Sequence, residues 1–256
     1  PHVPNAARSM SETILLPGGR DARGTLDVAA DADAPGADVE TDVGDTDAAA
    51  TGTDDAVTAA DACVVACPPH PQHGGHRGDQ RLRAVSEELR ARGIDCLRFD
   101  YGPWDGGRGE RTDALNAVAW ANERYGRVAL FGFSFGASVA LSAAAHGADV
   151  VAVAALAPAA RLGTTRADPE APDDSGIGGI DVVADFPKIP ERIDVQVLYG
   201  TRDDVANVGP VVDAARTRGH SIVEFAADHF FIGQAGKVAT AVADFLEPAL
   251  QADVPR

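Results

Sequence analysis

Short apolar segments alternate with amphipathic segments along most of this chain. Six apolar segments of five to seven residues have the continuous hydrophobic character of buried strands; they span residues 62–67, 95–99, 127–133, 150–156, 195–200 and 221–225. Four amphipathic patterns between them, and one after the last, have the spacing of helices; they span residues 79–92, 111–123, 135–146, 208–218 and 237–250. This alternation predicts a parallel β-sheet that helices cover on both faces.

The predicted fold class is therefore α/β, with a doubly wound and mostly parallel sheet. Two shorter strand patterns, at residues 12–16 and 25–28, flank the turn sequence Pro17-Gly18-Gly19 and predict an antiparallel hairpin near the amino end. Ligands of doubly wound sheets bind in a crevice outside the carboxyl ends of the strands. We expect the functional site at that edge.

The domain organisation follows from where the alternation is interrupted. Residues 11–250 are interpreted as one domain, preceded by an unstructured extension at residues 1–10. Residues 31–61 include ten acidic residues and no basic or aromatic one. Such a stretch cannot bury enough apolar surface to offset the entropy of ordering it, which predicts a disordered acidic insert. Residues 159–189 are rich in Gly, Asp and Pro, so we expect a minimal lid and an open site.

The acidic balance of the chain narrows its partners. Asp and Glu number 39 against 22 Lys and Arg, which gives a formal net charge of −17. Nucleic acids and anionic membrane surfaces bind clustered basic residues, so neither partner is expected. The sequence has no apolar stretch of about 20 residues, and its amino end lacks the order of a secretory signal. We expect a cytoplasmic monomer or homodimer that acts on a small molecule.

The choice of charged residues also suggests an environment. Lys188 and Lys237 are the two lysines of the chain, and aspartate far outnumbers glutamate. Excess surface carboxylate keeps a protein soluble but repels itself, and salt screens that repulsion. The composition therefore predicts a halophilic origin.

The strongest chemical signal is the pentapeptide Gly132-Phe133-Ser134-Phe135-Gly136, which directly follows a predicted strand and opens a predicted helix. Glycines two positions before and after the serine give clearance where strand and helix converge at a sharp turn. The amino end of the helix also favours a developing negative charge. We interpret Ser134 as a candidate nucleophile. The alternative is a glycine-rich turn without a catalytic role.

A nucleophilic serine needs a base, and the base needs a carboxylate to orient it. His229 follows the last predicted strand, and Asp203 follows the strand at residues 195–200, with the adjacent Asp204 as its competitor. Both loops fall at the carboxyl ends of strands. The chain order Ser, Asp, His differs from the orders found in chymotrypsin and subtilisin.

Neither the cysteines nor the clustered histidines predict a metal site. The three cysteines lack zinc-ribbon or redox spacing and are interpreted as small buried hydrophobic residues. His70, His73 and His76 recur every three residues, but the prolines and glycines among them exclude the helix that would align them. We expect no metal and no cofactor.

Together these motifs resemble the α/β-hydrolase superfamily, nearest to its small dienelactone-hydrolase-like and uncharacterised esterase-like branches. The resemblance covers residues 63–250. Five stretches carry it, in the expected order: Cys67-Pro68-Pro69-His70-Pro71-Gln72-His73-Gly74-Gly75, Arg98-Phe99-Asp100-Tyr101, Gly132-Phe133-Ser134-Phe135-Gly136, Gly200-x-x-Asp203 and Asp228-His229-Phe230-Phe231.

The resemblance implies an oxyanion hole built from two backbone amides. The first is that of Phe135, and the second is that of Gln72, with His73 as the alternative. Trp104, Phe133 and His73 are candidates for lining the substrate pocket, although Trp104 could instead simply cover the edge of the sheet. A serine stands where dienelactone hydrolases use cysteine, so their substrate is not implied.

The predicted function is hydrolysis of carboxylic esters of small to medium size through an acyl-enzyme. Ser134 would attack the ester carbonyl, His229 would take its proton, and Asp203 would orient His229. Two alternatives stay open. One is hydrolysis of thioesters or other, peptide-like acyl groups, and the other is a hydrolase scaffold that binds without catalysis.

Overall fold

A computed structural model describes residues 11–29, 61–162 and 179–252 of the chain. The predicted extension at residues 1–10 and residues 31–60 of the predicted acidic insert lie outside these ranges. So do residues 163–178 of the segment for which a minimal lid is expected.

Within the described ranges, eight strands form one sheet. Its order is β1-β2-β4-β3-β5-β6-β9-β10. The strands are β1 (Ser11–Leu15), β2 (Arg23–Asp27), β3 (Ala62–Cys67), β4 (Asp95–Asp100), β5 (Arg127–Phe133), β6 (Ala152–Leu156), β9 (Asp194–Gly200) and β10 (Ser221–Phe225). The six strands β4, β3, β5, β6, β9 and β10 run parallel to one another. Strands β1 and β2 form an antiparallel pair, and β2 is also antiparallel to β4. The predicted mostly parallel sheet and the hairpin are both confirmed.

Helices cover both faces of the sheet, as predicted. They are α1 (Gln80–Ala91), α2 (Arg108–Asn122), α3 (Phe135–Ala145), α4 (Val182–Asp185), α5 (Gly209–Thr217) and α6 (Ala235–Gln251). Side chains of α2, α3 and α5 join one hydrophobic cluster, and those of α1 and α6 join the other. Each helix of eight residues or more therefore lies where its apolar side can be removed from water.

The continuous apolar character of the central strands follows from this double cover. In β3, Cys63, Val65 and Cys67 point into one cluster, whereas Val64 and Ala66 point into the other. All residues of β3 are buried. Because successive side chains of a strand point to opposite faces, a strand between two helical layers must be apolar at every position.

The structure differs from the predicted elements in two ways. Helix α2 begins at Arg108 rather than at 111, because the Glu110 side chain accepts hydrogen bonds from the N–H groups of Asp105 and Gly107 and so caps the earlier start. A two-stranded ribbon, β7 (Arg161–Leu162) and β8 (Ile180–Asp181), and the short α4 had no signal in the sequence.

The order of the strands positions the functional edge. From β3 the chain moves outward to β4 and then crosses back to β5 on the other side of β3. At such a reversal the loops after the two strands diverge and leave a crevice at the carboxyl edge. Over the described ranges, no helix combines the length and the apolar character needed to cross a membrane.

Candidate active site

Ser134 occupies a sharp turn between β5 and α3. Its backbone has φ 55° and ψ −117°, a strained conformation that costs on the order of 1–3 kcal/mol. Glycines make the turn possible, because a Cβ atom on Gly132 would overlap the carbonyl oxygen of Gly136, and one on Gly136 would overlap that of Cys67. Strand, helix and the end of β3 therefore meet closely and present the serine at the carboxyl edge of the sheet.

The structure brings Ser134, His229 and Asp203 into contact. The Oγ atom of Ser134 lies 2.9 Å from Nε2 of His229, and Nδ1 of the same ring lies 2.7 Å from Oδ2 of Asp203. The side chains of His229 and Asp203 are 5% and 0% exposed. Because a carboxylate can only accept, Nδ1 donates to Asp203, which leaves Nε2 to accept from the Ser134 hydroxyl.

Asp203 and Asp204 occupy different environments. The second carboxylate oxygen of Asp203, Oδ1, accepts hydrogen bonds of 2.9 Å from the N–H groups of both Val205 and Ala206. These bonds fix the carboxylate in the turn after β9. Asp204 is exposed to solvent. Of the two carboxylates that the sequence left in competition, Asp203 is the one that contacts His229.

Solved structures with the same architecture cover nearly the whole chain. An α/β serine hydrolase without a lid from Xanthomonas campestris is 20% identical over 98% of this chain and 100% of its own, with a TM-score of 0.66. Est1E from Butyrivibrio proteoclasticus is 18% identical over 94% and 99%, with a TM-score of 0.68. An esterase from Pyrococcus furiosus is 15% identical over 98% and 97%, also with a TM-score of 0.68.

The chain has the α/β-hydrolase fold. A scan against protein-family models and a search of curated proteins gave no match. Identities of this size establish the architecture alone, because one fold hosts many different chemistries.

The α/β-hydrolase fold forms its oxyanion hole from the amide after the nucleophile and one amide after β3. Phe135 is the first residue of α3, so its N–H has no acceptor within the helix. The two predicted candidates after β3 both have partners: the N–H of Gln72 donates to Nδ1 of His70 at 3.3 Å, and that of His73 donates to the His70 carbonyl at 3.0 Å. Among the described residues, none accepts a hydrogen bond from the N–H of His70 itself.

The three predicted pocket residues lie in different environments. Phe133 is 2% exposed and belongs to the cluster beneath α1 and α6, so it supports the site from inside the core rather than lining an open pocket. Trp104 is 36% exposed. His73 is exposed, and its ring stacks on that of His70 with centroids 4.4 Å apart.

Two aromatic rings lie beside His229, and one arginine contacts both of the residues that carry them. The His229 ring centroid lies 5.4 Å from that of Phe133 and 5.4 Å from that of Phe230. The Arg81 guanidinium lies 4.3 Å from the centroid of Phe133 and donates to the Phe230 carbonyl at 3.3 Å. Arg81 therefore links the start of α1 to the histidine loop. This contact has no signal in the sequence, since a single arginine near a helix start forms no pattern.

The three cysteines lie in the core of the structure. All three thiols are free and buried, as the sequence predicts, and burial raises the pKa of each, that of Cys96 to about 12. Protonated thiols are poor nucleophiles. Over residues 11–29, 61–162 and 179–252, no group of three or more His, Cys, Asp or Glu side chains could hold a metal ion.

Because backbone segments approach closely at the Ser134 turn, one methyl group added at Gly136 should lower the stability of the protein. Gly136→Ala places its Cβ against the backbone at the end of β3 and should lower the free energy of unfolding by about 1–3 kcal/mol. Gly236→Ala is the matched control, because nothing lies within 4 Å of the added Cβ, and it should change stability by less than about 1 kcal/mol. Urea denaturation measures both, and equal stability of the two variants would contradict the packing described here.

Proposed function

We propose that this protein is a serine hydrolase that cleaves carboxylic esters of small to medium size through an acyl-enzyme. The observation that carries the proposal is the pair of contacts from Ser134 Oγ to His229 Nε2 and from His229 Nδ1 to Asp203. The likeness to structures described as a serine hydrolase and as an esterase supports the same class.

In the proposed mechanism, the Ser134 oxygen attacks the ester carbonyl while Nε2 of His229 takes the hydroxyl proton. Asp203 holds the imidazole in the tautomer with Nδ1 protonated and stabilises the imidazolium that forms. His229 then gives the proton to the leaving alcohol, and the acyl group stays on Ser134. Water attacks that ester with His229 again as the base, which releases the acid and restores the serine.

Two backbone amides would stabilise the tetrahedral oxyanion. We assign the first to Phe135 and move the second from Gln72 to His70, because the Gln72 N–H is already held by the His70 ring and the His70 N–H has no acceptor among the described residues. Each donor contributes about 3–4 kcal/mol in hydrolases of this type. Preorganised donors do so without reorganising during the reaction.

The strain at Ser134 favours an enzyme over a binding scaffold. The backbone of Ser134 has φ 55°, a conformation that costs on the order of 1–3 kcal/mol for a residue other than glycine. Residues strained in this way cluster at functional sites. Binding alone does not require a serine hydroxyl in contact with a buried histidine, whereas a nucleophilic serine needs that base. Ester and thioester hydrolysis share the triad, and a competition between matched substrates separates them.

Four finer parts of the proposal concern family branch, environment, substrate and location. We place the protein nearest to the dienelactone-hydrolase-like branch on the motifs around Ser134, Asp203 and His229. We propose a halophilic origin from the net charge of −17 and therefore assays at high salt, which screens carboxylate repulsion. We also propose a small-molecule substrate and a cytoplasmic location.

The nucleophile is tested by removing one hydroxyl. Ser134→Ala should abolish labelling by a fluorophosphonate probe and lower hydrolysis of p-nitrophenyl acetate by at least about 10³-fold. Ser221→Ala, at the start of β10, is the control and should behave as the wild type. Hydrolysis by Ser134→Ala at the wild-type rate, with an unchanged circular dichroism spectrum, would show that the nucleophile is assigned wrongly.

The second oxyanion donor is tested by comparing His70→Pro with His70→Ala. Both variants lose the imidazole, but proline also loses the amide N–H, and the φ of −57° at His70 suits a proline ring. If the His70 amide binds the oxyanion, kcat for p-nitrophenyl acetate should be about 10²–10³-fold lower in His70→Pro than in His70→Ala. Equal kcat values, with both variants folded by thermal melting, would return the role to Gln72.

A further inference from the structure

An aromatic cluster borders the nucleophile on the side of the β3 loop. The His70 ring lies 4.6 Å from the ring of Trp104 and 4.8 Å from that of Phe135, and the Trp104 and Phe135 rings are 5.6 Å apart. Phe135 directly follows Ser134 in the chain. Gly136 meets the backbone of Cys67 and Pro68 closely, so the cluster lies at the carboxyl edge of the sheet, beside the turn that carries Ser134.

The cluster has a buried back and an open front. Phe135 is buried, and the edge of Tyr101 packs against it with centroids 5.7 Å apart. Trp104 and His70 cover Phe135 and remain partly exposed. The His73 ring stacks on His70, so the exposed indole of Trp104 is the main ring surface that a ligand at Ser134 could reach.

The loop that carries Trp104 is fixed before and after the indole. On the amino side, the Gly102 N–H donates to Asp113 at 3.0 Å and the Pro103 carbonyl accepts from Arg20 at 2.6 Å. On the carboxyl side, the N–H groups of Asp105 and Gly107 donate to the two oxygens of Glu110 at 2.9 and 2.7 Å. The backbone of the loop is therefore held on both sides of Trp104, whose indole makes no hydrogen bond to the described residues.

The two carboxylates that hold this loop are fully buried. Burying a carboxylate is unfavourable unless its hydrogen bonds are made in full. Both oxygens of Glu110 bind the loop, and Asp113 binds the Gly102 N–H and pairs with Arg20, which itself donates to the Pro103 carbonyl. The loop and its supports therefore form one preorganised unit. A ligand ring that binds to a preorganised surface avoids the entropic cost of ordering that surface.

The charge state of the front surface suits an uncharged ring. Burial, with a smaller contribution from His73, lowers the pKa of His70, so its imidazole is neutral at neutral pH and stacks as an aromatic ring. Offset-stacked and edge-to-face ring pairs are favourable beyond the apolar area that they bury.

We propose that Trp104 and His70 bind a planar aromatic ring of the ester, next to the scissile bond held at Ser134. This names the substrate class of the proposed hydrolase and rests on that function. Trp104 and His70 determine specificity in this assignment and take no part in proton transfer.

Matched esters that differ only in the planarity of one ring test the proposal. Benzyl acetate and cyclohexylmethyl acetate carry the ring on the alcohol, whereas methyl phenylacetate and methyl cyclohexylacetate carry it on the acyl group. In at least one pair, kcat/KM should be about 2- to 10-fold higher for the aromatic ester. Equal values within both pairs would overturn the proposal.

The two tryptophans of the chain provide a matched control. Trp104→Leu should remove the preference for the aromatic ester, and Trp104→Phe should restore part of it. Trp120→Leu changes a tryptophan on α2 that packs against Arg124 and should keep the preference in full. A preference that survives in Trp104→Leu would also overturn the proposal.

A binding measurement separates this proposal from the proposed function. With Trp120→Phe, Trp104 is the single tryptophan of the chain, and Ser134→Ala in the same protein prevents turnover by the proposed nucleophile. The Trp104 fluorescence should change and then saturate as an aromatic ester is added. The half-saturation concentration should be about 2- to 10-fold lower for the aromatic ester than for its cyclohexyl counterpart. This holds even if the wild type hydrolyses none of the esters. No saturable change, or equal half-saturation within both pairs, would refute ring binding.

Discussion

The close approach of β5, α3 and the end of β3 at Ser134 is the constraint on which the rest of the site depends. Only glycine fits at positions 132 and 136, because a Cβ at either position would overlap backbone atoms. This packing forces the serine into its strained conformation and turns its oxygen toward the carboxyl edge of the sheet. It also leaves the first amide of α3 without a partner in the helix, beside the same oxygen.

The other two side chains of the proposed triad reach Ser134 because parallel strands end at one edge. Asp203 follows β9 and His229 follows β10, and both strands lie on the far side of β6 from β5. Their contacts are fixed: two backbone N–H groups hold Asp203, and the rings of Phe133 and Phe230 pack against His229. A hydrogen-bonded chain of this kind needs little rearrangement during proton transfer, which is what preorganisation means for a catalytic site.

The sequence was informative where one local pattern decides the structure. Continuous apolar strands predicted the double cover of helices, and the glycines around Ser134 predicted the sharp turn. It was misleading where direction matters, since Phe133 is next to Ser134 in the chain but strand alternation turns it into the core. Which amide after β3 lacks an acceptor among the described residues depends on the backbone angles of a loop rich in proline. The link from Arg81 to the Phe230 carbonyl joins residues 149 positions apart, so no local pattern reports it.

The most direct test of the account is a comparison of two adjacent carboxylates. Asp203→Asn removes the acceptor that fixes the His229 tautomer and should lower kcat for ester hydrolysis by about 10⁴-fold. Asp204→Asn makes the same chemical change at an exposed position and should leave kcat within about 2-fold of the wild type, because exposed groups away from the site contribute little. A wild-type kcat in folded Asp203→Asn, or an equal loss in Asp204→Asn, would contradict the account.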